Sequence, residues 1–416
     1  MTTRFNFKIH NKGDHQIQVD YEDTEFIQYC QHSIDDAEIL EVIETLKSNW
    51  LTKGPRTVKF EEEFSTYVES KYTIAVNSCT SALHLALAAQ DIQRGDEIIT
   101  TPFTFCATAE VIEYLGAKPV FVDIDPESFN IDVTRIEEKI TSKTRAIIPV
   151  HYGGIPCNLN EINRLAEKYG LFVVEDAAHA LGSVYNSKKI GGSGNATAFS
   201  FYPTKNITTG EGGALTTNDN ILAKKVKMLS LHGISKDAWK RYCSTGHWFY
   251  EVFELGYKYN FTDIQAALGL QQLKKLDYFN AMREQYAHIY FEELNSVPEI
   301  ELPRWYRTYF NSLRSSGIKN SWHLFVILLA PNRLGIDRDR FIEEMRLRNI
   351  GCSVHFIPLH FHPYYAKKYK YKKGDFPVSE SVYSRIVSLP LYPRLSQEKI
   401  RRVCFSIKEI IDMYRL

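Results

Sequence analysis

At 416 residues, with 44% hydrophobic and 24% charged content, the chain has enough apolar material for one large domain and a smaller one. Its 50 Lys and Arg balance 50 Asp and Glu, which excludes a general attraction to nucleic acid or to an anionic membrane and leaves a small molecule as the expected partner. The 7 cysteines stand singly, with no CxxC pair, which excludes a disulfide framework and a zinc knuckle and fits a reducing, cytoplasmic setting.

The opening stretch, MTTRFNFKIHNKGDHQIQVDYED, is polar and lacks the apolar centre of a signal peptide, and residues 1–32 read as an extension with no assignable role. DDAEILEVIETLKS has helical periodicity. From residue 72 strands and helices alternate. YTIAVNS, DEIITT, KPVFVDI, RAIIPVHY, LFVVEDA and ATAFSF read as strands, and SALHLALAAQ, TFCATAEVIEYLG, DVTRIEEKI and LNEINRLAEKYG as helices. Short strands of Val, Ile and Phe separated by helices predict a mainly parallel α/β sheet, with ligands at the carboxyl ends of its strands. A long helical pattern runs from Thr262 to about Leu294. Beyond it, strand-like WHLFVILL and CSVHFIP flank helical DRDRFIEEMRLRNI, which predicts a large domain over 33–285 and a smaller C-terminal α+β domain over 286–416. The longest apolar run, HLFVILLA, has strand length, and none is long enough to span a bilayer.

The chemistry centres on AFSFYPTKNITTGEGGAL, where a strand-like run delivers Lys205 into a turn of Thr and Gly. Those glycines are expected to leave room for a ligand around the lysine. Upstream, LFVVEDAAHALG places Asp176 at the end of an apolar strand and His179 three residues later. Asp176 there is either a helix cap or a ligand partner. A lysine able to form a Schiff base and a carboxylate able to keep a ring nitrogen protonated are the two protein groups pyridoxal phosphate needs. A carboxylate about 4 Å from that nitrogen contributes about 4 kcal/mol at an effective dielectric near 20. In NSCTSALHLAL the small polar residues Ser78, Thr80 and Ser81 lead directly into a helix, which suits either N-capping or a phosphate. Ser200 interrupts an apolar strand and is expected to hydrogen-bond a partner such as that phosphate.

The ordered blocks NSCTSALHLAL, GDEIITTPFTF, IIPVHYGG, VVEDAAHALG, SFYPTKNITTGEGG, GYKYNFTDIQAALGLQQL, HFIPLH and SLPLYP resemble the DegT/StrS family of PLP-dependent sugar aminotransferases across residues 33–416. The resemblance implies an aspartate aminotransferase-like, fold type I PLP-dependent transferase. It implies that Lys205 holds the cofactor covalently, that Asp176 pairs with the pyridine nitrogen, and that His179 stands near the phenolic oxygen, where many relatives carry Gln. Ser78, Thr80, Ser81 and Ser200 would surround the phosphate, and Phe105 would stack on the ring. Asn260 would reach the phosphate of a neighbouring subunit, giving a homodimer with shared sites, while Tyr259 and His355 would line the sugar pocket. GYKYNFTDI and HFIPLHFHPYY are similar to the branch acting on UDP-linked 4-keto sugars, which implies 4-amination with glutamate as donor.

Three alternatives stand beside this reading. A 3-aminotransferase for a dTDP-linked 3-keto sugar would use the same machinery, and a non-catalytic PLP-fold regulator would not need Lys205. His355, His360 and His362 resemble a metal cluster in spacing only, since no matched carboxylates flank them, and no metal is expected. AKKYKYKKG reads as a solvated loop or a basic rim for a diphosphate.

Overall fold

The computed structural model describes residues 8–12, 16–20, 25–234, 249–312 and 316–416; Cys243 lies outside them. Strands β1 (Lys8–Lys12) and β2 (Gln16–Asp20) form an antiparallel pair. Helices α1 (Asp36–Lys47) and α2 (Pro55–Val68) precede the alternating stretch. That stretch comprises β3 (Tyr72–Val76), α3 (Cys79–Ala88), β4 (Glu97–Thr100), α4 (Ala107–Tyr114), β5 (Lys118–Phe121), β6 (Thr144–Ile147), α5 (Leu159–Tyr169) and β7 (Phe172–Asp176). It continues with a small hairpin of β8 (Val184–Tyr185) and β9 (Lys188–Lys189), then β10 (Ala196–Ser200), β11 (Gly213–Thr217) and α6 (Asn220–Leu229).

Seven strands form one sheet in the order β3-β11-β10-β7-β6-β4-β5. Neighbours from β10 through β5 run parallel, and β11 runs antiparallel to β10 and β3. Side chains alternate across a strand, so burial at nearly every position requires cover on both faces. Leu83 of α3, Val111 of α4 and Val226 of α6 cover one face, and Phe64 of α2, Leu165 of α5 and Leu270 of α7 (Asp263–Leu294) cover the other.

The 32 residues of α7 begin with a Thr262–Gln265 capping box and run for about 48 Å. Leu276 and Phe279 pack in the core beneath the large sheet, whereas Tyr286, Tyr290 and Leu294 pack with the C-terminal elements. The packing changes within one unbroken helix. Downstream lie β12 (Ile300–Glu301), α8 (Arg304–Asn311), β13 (Phe325–Leu329), α9 (Arg338–Leu347), α10 (Pro363–Tyr369), α11 (Pro377–Tyr383), β14 (Ile386–Leu389) and α12 (Gln397–Tyr414). Strands β12, β13 and β14 make a three-stranded antiparallel sheet.

Two local expectations differ from the structure. DVTRIEEKI forms two short 3-10 turns, Val133–Arg135 and Glu137–Lys139, because only Ile136 of this stretch reaches full burial and no apolar stripe holds a longer helix. CSVHFIP is not a strand; it touches β14 through the single bridge Ser353–Ser388. Residues near the end of the N-terminal extension are part of the packed molecule. Ile27 is fully buried and bridges Ile350.

Candidate active site

The site is assembled at the carboxyl ends of β7 and β10 and the start of α3. Ser78 caps α3 by accepting the Ser81 N–H at 3.0 Å, and Ser81 Oγ donates to Asn77 Oδ1 at 2.6 Å. Among the described residues no group accepts the N–H of Cys79 or Thr80, so these two amides and the positive helix end are available to an anion. Gly213 begins β11 directly beneath them. A Cβ there would lie 2.5 Å from the Cys79 nitrogen. Gly212 is equally constrained, by Thr209 Oγ1 and Phe261, and Gly210 adopts φ +77°. Gly212 and Gly213 therefore serve close chain packing rather than room for a ligand, while Gly210, where a Cβ would meet nothing, supplies a left-handed turn.

Asp176 ends β7 and is buried. One carboxylate oxygen accepts from Thr108 Oγ1 at 2.8 Å and the other from the Ala178 N–H at 3.2 Å. Burial pushes its pKa up, against those hydrogen bonds and the nearby Lys205 charge. A carboxylate so desolvated is stabilised by a further cation. Lys205 follows β10, and its backbone N–H bonds to Tyr202 O. Lys205 is half-buried as a residue, and enough protein surrounds Nζ that burial lowers its pKa to about 8. No described residue accepts a hydrogen bond from Nζ.

His179 is buried and stacks on Phe356, with centroids 5.7 Å apart and planes at 18°. Its Nδ1 accepts the Gly153 N–H at 3.3 Å, which leaves the proton of the neutral ring on Nε2. Burial first, then Lys205 and His355, keeps His179 uncharged. His323 lies 4.2 Å away, ring to ring. Phe105 is 61% exposed beside Phe356, so one aromatic face is open. His355 accepts from or donates to Ser388 Oγ at 2.9 Å and stacks on Tyr29, and burial pushes its pKa down to about 3.

Ser200 is half-buried and its Oγ accepts a long bond from the Tyr202 N–H, 3.4 Å. Tyr259 and Asn260 run beside the end of β3, where Tyr259 O accepts the Asn77 N–H at 2.9 Å just before Ser78, and not beside Lys205. Asn260 bridges Val76 at the outer edge of the sheet, three strand positions from β10 and therefore roughly 14 Å away. Its Oδ1 accepts from Lys258, and Tyr259 bonds His84 at 3.2 Å. His360 bonds Glu380 at 3.1 Å in a separate cluster. No group of three or more His, Cys, Asp or Glu is arranged to hold a metal among the described residues. Lys368 of the basic run pairs with Glu113. No described helix is long and apolar enough to cross a membrane.

Sequence reasoning missed Thr108, Tyr29, Cys30 and His323. Thr108 lies 68 positions from Asp176, and Cys30 Sγ donates to Thr204 O at 3.6 Å across 174 positions. The cleft thus joins a lysine with a lowered pKa, a buried carboxylate suited to a cation, two free amides for an anion and an open aromatic face. That donor set fits a phosphorylated pyridine.

The comparisons with known proteins agree. The model of the DegT/DnrJ/EryC1/StrS aminotransferase family matches residues 32–408. The spore coat polysaccharide biosynthesis protein SpsC of Bacillus subtilis is 47% identical over 387 residues, covering 93% of this chain and 97% of SpsC. Among solved structures, the PMP form of the putative sugar aminotransferase Spr1654 from Streptococcus pneumoniae aligns with a TM-score of 0.85 at 31% identity, covering 94% of this chain and 100% of that one. Helicobacter pylori PseC, an aminotransferase involved in the biosynthesis of pseudoaminic acid, also aligns at 0.85, with 32% identity over 94% of this chain and 100% of PseC.

Proposed function

The chain belongs to the DegT/DnrJ/EryC1/StrS aminotransferase family and is a sugar aminotransferase that uses pyridoxal phosphate, and from that premise we propose that it aminates C4 of a nucleotide-linked 4-keto sugar. The nucleotide is UDP, the donor is glutamate, and the product serves polysaccharide biosynthesis, as the name of SpsC supports. The enzyme works in the cytoplasm as a homodimer, with a large domain over 33–285 and a small domain over 286–416. The observation that carries this reading is Lys205, unpaired and with its pKa lowered to about 8, within electrostatic reach of buried Asp176 under the start of α3.

The cofactor supplies an electron sink and carries the amino group between donor and acceptor. Lys205 would hold it covalently and, as a free amine, would be the base that moves a proton at the substrate carbon. A lowered pKa keeps a useful fraction of that amine neutral. Asp176 would pair with the ring nitrogen and keep it protonated, with Thr108 and the Ala178 N–H orienting the carboxylate. His179 would donate from Nε2 to the phenolic oxygen. Ser78, Thr80, Ser81 and Ser200 with the start of α3 would hold the phosphate, Phe105 would stack on the ring, and His355 would line the sugar pocket. Tyr259 and Asn260 serve the site of the partner subunit, which accounts for their distance from Lys205 in their own chain.

The test is to incubate the pyridoxamine-phosphate-loaded enzyme with 3-keto and 4-keto sugars linked to UDP, dTDP and GDP, and to locate the new amine by NMR. Amination at C4 of a UDP sugar is expected. Selective C3 amination, or rejection of every nucleotide sugar in favour of a free keto acid, would overturn the substrate assignment.

A further inference from the structure

Successive residues of a strand point to opposite faces, so Glu175 lies behind the sheet position that carries Asp176. Glu175 and His151 are both 0% exposed. His151 Nε2 is 2.9 Å from Glu175 Oε2, while its Nδ1 accepts the Cys157 N–H at 3.0 Å. A ring nitrogen that accepts carries no proton, so the proton is on Nε2 and is donated to the carboxylate. Ser193 Oγ at 2.7 Å and Asn195 Nδ2 at 2.9 Å donate to the other oxygen. Every facing polar group is a donor. A buried carboxylate with three donors is rigid, because breaking any one bond leaves charge without a partner in a dry interior.

The pair is fastened to both groups that face the cofactor ring. The backbone N–H of His151 donates to Asp176 O at 3.1 Å, and Val150 bridges Asp176. The turn starting at His151 supplies the Gly153 N–H that His179 Nδ1 accepts. Within it Tyr152–Gly154 forms a short 3-10 turn, Gly153 and Gly154 take φ values of +61° and +99°, and Asn130 clasps it, its Oδ1 accepting the Tyr152 N–H at 2.8 Å and its Nδ2 donating to Ile155 O at 3.1 Å. The His151 ring adds a tie of its own, reaching across the turn to accept the Cys157 N–H beyond its far end.

We propose that His151 and Glu175 form a positioning pair that aligns Asp176 and the Gly153 amide, and through the amide His179, although neither residue touches the cleft. The inference rests on the roles assigned above to Asp176 and His179. It is tested on the holoenzyme with Glu175→Gln, His151→Phe and the milder Ser193→Ala, with Asp176→Asn as the reference. The measurements are the bound-cofactor absorbance titrated against pH, the cofactor dissociation constant, and kcat with KM. Glu175→Gln and His151→Phe are expected to move the titration midpoint by about half a pH unit or more and to lower kcat about tenfold, with KM changing less than about threefold. Ser193→Ala should move the midpoint in the same direction by less, and it decides the matter if the other two do not fold. Parent-like midpoints and kcat in the folded variants, with Asp176→Asn shifting both, would overturn the inference. If Asp176→Asn leaves both unchanged as well, the site assignment itself falls, and this inference falls with it.

Discussion

Lys205 owes its pKa of about 8 chiefly to burial, with Cys79, Asp176 and Cys30 opposing. At pH 7 roughly a tenth of such amines are neutral, against about one in three thousand for an ordinary lysine. Capture of pyridoxal phosphate by the cofactor-free protein should therefore accelerate with pH and level off above about 8; a rate still climbing past pH 10 would contradict the lowered value. The same shift bears on stability. Because the folded pKa lies below the unfolded one, the unfolded chain binds the extra proton between about 8 and the ordinary lysine value of 10.5. The burial penalty is thus fully present below about 8 and fades as pH rises toward the unfolded value. Lys205→Ala should remove this dependence from denaturant titrations and abolish transamination, and ordinary turnover in that variant would sink the assignment. For Asp176→Asn, cofactor should still bind while the rate drops by up to about a thousandfold, the equivalent of about 4 kcal/mol. A loss under about threefold would reduce Asp176 to its bond with the Ala178 N–H.

At the scale of elements, two helices depend on residues far from them in sequence. Helix α2 has Gly54 at its N-cap and so no side chain of its own to close the first turn. Buried Asp263, the first residue of α7, does so instead. Its Oδ1 accepts from Gly54 N and Thr57 N at 2.9 Å and from Thr57 Oγ1 at 2.7 Å, and its Oδ2 accepts from Arg56 N at 3.0 Å. Asp263→Ala leaves these donors without partners and should cost about 3 kcal/mol in chemical denaturation. Helix α3 needs Gly213 beneath it. Gly213→Ala should push the helix start off β11, cost about 2 kcal/mol and weaken cofactor binding about tenfold, read as a dissociation constant. Unchanged affinity would show that the amides of α3 do not hold the phosphate.

For the whole molecule, the segment before Tyr259 and Asn260 leaves Val252, Phe253 and Leu255 in solvent, Leu255 at 90%. Helix α1 adds Leu40 and Leu46. Exposed apolar side chains in such number are candidates for a contact surface. If a second copy covers it and brings Asn260 to the neighbouring site, inactive Lys205→Ala and Asn260→Ala chains should complement each other. Random mixing gives half mixed dimers, each with one intact site, or about a quarter of the parent activity. No recovery under conditions where subunits demonstrably exchange would mean that each site is built within one chain.

The sequence by itself determined the mainly parallel sheet, the family, and the placement of Lys205, Asp176 and Ser78 at strand ends and a helix start. All of these are written locally, in apolar strands whose last residue turns polar just before a helix or turn. Tertiary structure alone decided the partners of those groups. Thr108 reaches Asp176, Tyr29 stacks on His355, the His323 ring packs at a tilt against His179, and the His151 ring grips Glu175. Such contacts join strands and loops distant in sequence, and no local periodicity reports them. The glycines after Lys205 show the same limit. Their composition announces a special turn, but only the approach of β11 to the start of α3 reveals that a neighbouring backbone forbids a side chain there.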